Sequence, residues 1–130
     1  GPDSFAVPAV ATLARLMADR DRRLDLVVGH ARGALLLSAA FALLARTAPT
    51  EAVARAARAQ VVTAGAAVAF PEPVAWVHQV IGALDPLGRL NAEDGVDFET
   101  IPMAGHHLNT RLPAALELDA VLARTLGAAA

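Results

Sequence analysis

The chain has 130 residues, no cysteine and a net charge of −2, and all eleven of its Lys-plus-Arg positions are arginine. That length suits one domain with one core; the missing cysteine excludes disulfides and thiolate metal sites, and the charge balance leaves no basic field for nucleic acid. Hydrophobic residues make up 55% of the chain, yet an arginine or aspartate interrupts every apolar run before the ~18 residues that a membrane span requires.

Gly1-Pro2-Asp3-Ser4 reads as the remnant of a protease site, which leaves residues 5–130 as the domain. No basic stretch followed by an apolar one marks a secretory signal. The cytoplasm is therefore the expected compartment, unless the chain is a piece of a longer protein whose signal lies upstream. Val7 to Asp19 carries Val10, Leu13, Leu16 and Met17 at helical spacing, with Arg15 and Asp19 on the other side and Pro8 in the first turn. Arg20, Arg22 and Arg23 then alternate with Asp19, Asp21 and Asp25 and neutralise one another.

Leu24 to Val28 is a short apolar run, expected as a buried strand. Gly29 to Gly33 turns the chain, and Ala34 to Arg46 continues as an apolar helix. Pro49 and Thr50 open a second helix through Arg58, with Glu51 near its positive end. Gln60 to Phe70 is the next strand candidate, closed by Pro71 and Pro73. Val77 to Gly82 is a third, ending at Ala83-Leu84-Asp85-Pro86, and Phe98 to Met103 a fourth, ending at Gly105-His106-His107. Leu112 to Leu126 is amphipathic, its leucines and Val121 on one side and Arg111, Glu117 and Arg124 on the other. Strands alternating with helices predict an α/β domain: a mostly parallel open sheet of about four strands flanked by helices. The link between the second and third strands is short for a parallel pair.

In an open parallel sheet, functional groups gather at the carboxyl ends of strands. Here those ends supply Ala31, Asp85 and His106 (or its neighbour His107), in that order along the chain. Gly29-His30-Ala31-Arg32-Gly33 has the spacing of a G-x-S-x-G turn with alanine at its centre. A nucleophile in such a turn needs an imidazole within reach to take its proton and a carboxylate to fix the imidazole tautomer. It also needs an N–H at the oxyanion position, here that of Arg32.

With these residues in view, Leu24 to Leu126 resembles the carboxyl-terminal half of an α/β-hydrolase, in the lipase and esterase branch with a G-H-S-x-G elbow. Gly29-His30 and Gly33 match that elbow, and Ala31 stands where it has serine. "GALDPLGRLN" (Gly82 to Asn91) resembles the acid-bearing loop, with Asp85 at the matching position. "GHHLNTRLP" (Gly105 to Pro113) resembles the histidine loop before the last helix, and Gly105-His106 matches its Gly-His. The resemblance implies an acyl-ester or lipid-like ligand and no cofactor. It makes Asp85 and His106 the surviving acid and base, and the Arg32 N–H half of the oxyanion site. It further implies that the chain hydrolyses no ester as written. Alanine has no lone pair to attack a carbonyl, and the upstream half of such hydrolases, with the second oxyanion donor and much of the pocket, has no counterpart here.

Three accounts of Ala31 stay open: an engineered Ser→Ala, a natural pseudoenzyme, or a turn that needs its glycines for sterics alone. The rival functional reading is a non-catalytic binding or assembly module. Without upstream strands "LDLVV" forms an apolar sheet edge, expected to pair with a second copy of the chain as a homo-oligomer or with a missing amino-terminal half.

The remaining residues have plainer expectations. Asp85 also suits a turn or helix cap before Pro86, and Asp94 and Asp97 flank Gly95 as loop residues. Adjacent histidines rarely share an ion, so no metal is expected at His106 and His107. His78 is expected to be packed with its nitrogen satisfied, and His30 to support the turn. Trp76, the only tryptophan, should anchor the core or an interface. The absence of lysine excludes a P-loop, and no ribose-binding acid follows a strand at dinucleotide-fold spacing.

Overall fold

The computed structural model describes residues 7–72, 74 and 76–129. Gly1 to Ser4, read above as a protease-site remnant, and Pro73, read as a strand stop, lie outside the described residues. Helix α1 (Val7–Ala18) is followed by β1 (Leu26–His30), α2 (Arg32–Thr47), α3 (Thr50–Ala57), β2 (Gln60–Ala64) and β3 (Val77–Gly82). A short helix α4 (Pro86–Leu90), β4 (Glu99–Ile101) and α5 (Leu118–Ala129) complete the order. The strands form one four-stranded sheet, β1-β2-β3-β4, in which every pair is parallel. This is the expected α/β architecture. No helix among the described residues is long and apolar enough to cross a membrane.

The sheet is packed on both faces, by alternation along its central strands. Val61 and Val77, paired in register, face Met17 of α1, Phe41 and Leu44 of α2 and Ala56 of α3. Ala64 and Val80, on the opposite face, pack with Leu116 and with Val121 of α5. Fully buried alanines at 34, 40 and 56 let the helices approach closely, so a chain with few aromatics still closes its core. Phe41 and Phe70 meet edge to face, with centroids 5.8 Å apart, a contact worth about 0.5–1.5 kcal/mol beyond area burial.

Strand β1 lies at the sheet edge, as expected from the lack of upstream strands, and corrects the other expectation for it. Its apolar run predicts burial, but Leu26 and Val28 are each 37% exposed. The reason is its place at the sheet edge, where α2 covers one face and nothing among the described residues pairs with its outer side.

Three element ends also differ from the sequence pattern. β2 stops at Ala64, not Phe70, because Gly65 turns the chain at φ 77°. The fourth strand is trimmed to Glu99–Ile101, with Met103 at φ 62° beyond it. The last helix starts at Leu118 rather than Leu112, since Ala114 adopts φ 61°, outside the right-handed helical region.

Residues 65–76 cross from β2 to the parallel strand β3 with no helix among their described residues, although such crossovers usually contain one. A side chain holds this crossover instead. Gln79 is buried on β3; its Oε1 accepts from the Thr63 hydroxyl at 2.8 Å and from the Val68 N–H at 2.9 Å. Its Nε2 donates to the Val68 carbonyl at 2.8 Å. The amide of Gln79 thus satisfies both backbone groups of Val68, as a neighbouring strand would.

At the other edge, Arg124 of α5 reaches β4 and grips Glu99 with both guanidinium nitrogens at 2.6 Å. The hydrogen bond from Arg124 holds the Glu99 carboxyl below its ordinary value of 4.5, against the opposing effect of burial and with added attraction from the Arg124 and His78 charges. A depressed carboxylate contributes stability above its unfolded value, and that contribution is lost as pH falls through the lower folded value. Arg124→Ala should therefore lower the melting temperature modestly at neutral pH, and the gap to the unmodified chain should close progressively below pH 4.5, as read by thermal melts across a pH series. His78 lies 3.9 Å from the same carboxylate, but its buried Nε2 has no hydrogen-bond partner. The expectation of a satisfied nitrogen fails there, because the Glu99 oxygen nearest to it lies beyond hydrogen-bond distance.

Candidate functional site

Strand β1 ends at His30 and α2 begins at Arg32, so Ala31 alone makes the strand-to-helix turn. It does so at φ 52°, ψ −117°, a conformation that an L-residue with a Cβ seldom takes. Such backbone strain costs on the order of 1–3 kcal/mol and persists only where surroundings enforce it. Here the Ala31 N–H donates to the Ala64 carbonyl of β2 at 2.7 Å, and the Ala31 carbonyl accepts from the Ala34 N–H at 3.0 Å. The sheet pins one side of the residue and the helix pins the other. Arg32 is the first residue of α2, so its N–H belongs to the turn where helix amides point along the axis.

The motif's glycines have unequal roles. A Cβ at Gly29 would come within 2.8 Å of Leu37 Cδ1 and 2.9 Å of Ala34 Cα, so α2 packs directly on the strand backbone. A Cβ at Gly33 would meet nothing within 4 Å. Close packing therefore explains Gly29 and not Gly33.

Asp85 follows the end of β3 and is 1% exposed. Its two oxygens have separate partners. Oδ1 accepts from the Gly88 N–H at 2.7 Å and caps α4, while Oδ2 accepts from His106 Nδ1 at 2.7 Å. A carboxylate only accepts, so the His106 proton sits on Nδ1 and the neutral ring keeps a lone pair on Nε2. Gly88 makes room for this carboxylate, since a Cβ there would run into Asp85 Oδ2.

His106 stands at the start of a loop that closes on itself through Gly105 N–H to Ala114 carbonyl, 2.6 Å, and Leu116 N–H to His107 carbonyl, 2.9 Å. His107 is turned into that loop and donates from Nε2 to the Pro113 carbonyl at 2.9 Å. Of the adjacent histidines, only His106 meets the acid.

A further histidine joins them. His30 Nε2 lies 2.7 Å from the His106 carbonyl, and the two rings sit 5.2 Å apart, tilted by 40°. Gly65 lies beneath both: a Cβ there would be 3.1 Å from His106 Cε1 and 3.4 Å from His30 Cδ2. His106 thus touches both Asp85 and His30. Ala31 joins the group through Ala64, the residue before the glycine on which His106 rests. Asp94 and Asp97 are exposed loop residues, and Trp76 is half-buried at the entrance to β3. An open hollow of about 550 Å³ lies on the outer side of the histidine loop, lined by Met103, Leu112, Val121 and Arg124 among others; Ala31, Asp85 and His106 do not line it.

Sequence reasoning missed the link from His30 to His106 and the role of Gly65. A glycine directly after an apolar strand was the available signal for the second; nothing local marks the first. An arrangement of this kind can hold an imidazole lone pair ready to take a proton beside a strained strand-to-helix turn. Comparison of the chain with protein-family models, with curated proteins and with solved structures found no match in any of the three.

Proposed function

We propose that the chain is an α/β-hydrolase-like domain of serine esterase or lipase type, inactive as it stands because Ala31 occupies the position of the nucleophile. One observation carries the reading: a residue with a Cβ is held at φ 52°, ψ −117°, where glycine would cost less, at the carboxyl end of a parallel strand. The buried Asp85 paired with His106 at the end of a nearby strand supports it. In the parent chemistry a serine hydroxyl at position 31 gives its proton to His106 Nε2 as its oxygen attacks an ester carbonyl. Asp85 holds the resulting imidazolium, and the Arg32 N–H faces the developing oxyanion. The ligand is an acyl ester or lipid-like molecule; Leu84, Leu87 and Leu90, all exposed around the acid loop, offer apolar surface for its chain.

Ala31→Ser tests this. The variant should become labelled by an alkyl fluorophosphonate, and the label should vanish on adding His106→Ala. An Ala31→Ser chain that stays folded and takes no label, alone or with any upstream segment restored, contradicts the reading.

The rival reading is an assembly module that pairs through β1, and the exposed Leu26 and Val28 on an unpaired edge favour it. On that reading the chain sediments as a dimer or larger, and Val28→Lys returns it to a monomer, since a charge on an edge strand opposes pairing. A monomer for the unmodified chain rejects it.

A further inference from the structure

We infer that His30 is a positioning residue that anchors His106 to the turn carrying Ala31; the inference rests on reading Asp85 and His106 as the acid and base of one site. His106 is held at both ends. Its ring is fixed by Asp85 at the end of β3, and its carbonyl is fixed by His30 at the end of β1. The loop's own closing bonds, Gly105 to Ala114 and His107 to Leu116, join loop residues to each other, and Leu84 N–H to the Ala104 carbonyl at 2.8 Å ties its base to the end of β3; none of these bonds holds His106 to β1. With the Asp85 contact alone, the imidazole could swing about the Nδ1–Oδ2 line. The His30 contact removes that freedom. Because His30 and Ala31 are consecutive on the chain, the same dipeptide sets where the base stands and where a nucleophile would stand.

The chemistry of the contact fixes a proton. A peptide carbonyl only accepts, so His30 carries its proton on Nε2, while His106 carries its own on Nδ1. The two neighbouring rings are therefore opposite tautomers. Gly65 completes the device, because a Cβ at 65 would press on the His106 ring at 3.1 Å and touch the His30 ring at 3.4 Å.

Nitrogen-15 NMR of the histidine rings in the unmodified chain should find His30 protonated on Nε2 and His106 on Nδ1, the latter with a low-field proton shared with Asp85. His30→Phe keeps an aromatic ring without the donor; it should lose or broaden that low-field proton. His30→Gln, whose amide reaches to a similar distance with an N–H, should keep it. In the Ala31→Ser background, His30→Phe should slow fluorophosphonate labelling about 10- to 100-fold, the scale of a misplaced catalytic group, and His30→Gln should label nearly as fast as Ala31→Ser alone. A merely structural histidine would lower the melting temperature in both variants without separating them in this way. His30 found protonated on Nδ1 only, or a His30→Phe chain with an unchanged His106 proton, overturns the inference. Should Ala31→Ser take no label, the hydrolase reading falls while the tautomers and the low-field proton still decide the role of His30. Should His30→Phe fail to fold, the tautomers of the unmodified chain decide it.

Discussion

In the Ala31→Ser background, Asp85→Asn should cut fluorophosphonate labelling by about 10⁴-fold, the loss that follows when a catalytic histidine is held in the wrong tautomer. The substitution is nearly isosteric. Asn Oδ1 still accepts from the Gly88 N–H that Asp85 binds at 2.7 Å, so α4 keeps its cap. The other oxygen, which now accepts from His106 Nδ1 at 2.7 Å, becomes an NH₂ that donates. His106 must then offer its Nδ1 lone pair and carry its proton on Nε2, where it can accept nothing from position 31. Activity falls while the fold survives, and circular dichroism should show little change. Asp85→Ala separates the two roles differently. It leaves the Gly88 N–H without its partner and should cost about 1–3 kcal/mol of stability as well as the label. If Asp85→Asn labels as fast as Ala31→Ser, the aspartate is a helix cap and no more.

The second large effect concerns the fold. Gln79→Leu should destabilise the domain by about 3 kcal/mol, because it strands the buried N–H and C=O of Val68 together and leaves the Thr63 hydroxyl only the Ala66 carbonyl at 3.2 Å. In a chain of this size that corresponds to a fall of roughly 10 °C in the melting temperature, measurable by calorimetry. Leucine fills the volume but offers no polar atom, and the described residues between β2 and β3 include no helix to take up the lost bonds. Thr63→Val should cost less, about 1 kcal/mol, since the two bonds between Gln79 and Val68 remain. Equal and small losses in both variants would mean that the crossover is held by apolar packing around Val68 and Phe70 instead.

The sequence pattern made the sheet legible because its signals are local. Short apolar runs ending in glycine or Asp-Pro mark β1 and β3, an apolar run closed by prolines marks β2 but overshoots its end at Ala64, and the order of Ala31, Asp85 and His106 along the chain follows the carboxyl ends of β1, β3 and β4. What escaped was non-local or too short. Helix α4 spans only Pro86–Leu90, too few residues for a periodicity, and betrayed itself only through its Asp-Pro start. Gln79 in an apolar strand looks like an outward-facing polar residue until its partner at Val68 is known. The contact between His30 and His106 joins residues far apart in the chain, and no spacing rule reaches that distance. The exposure of Leu26 and Val28 was legible only through the lack of strands upstream of β1, since the strand's own apolar residues point to burial.

The most direct test of the whole account is the separation between the side chain at position 31 and His106 Nε2 in a crystal structure of Ala31→Ser. The serine Oγ should stand within hydrogen-bond reach of that nitrogen, about 2.6–3.2 Å or one bridging water away, with Asp85 still bonded to Nδ1. An imidazole whose Nε2 faces away from the introduced hydroxyl, beyond the span of one water, would contradict it.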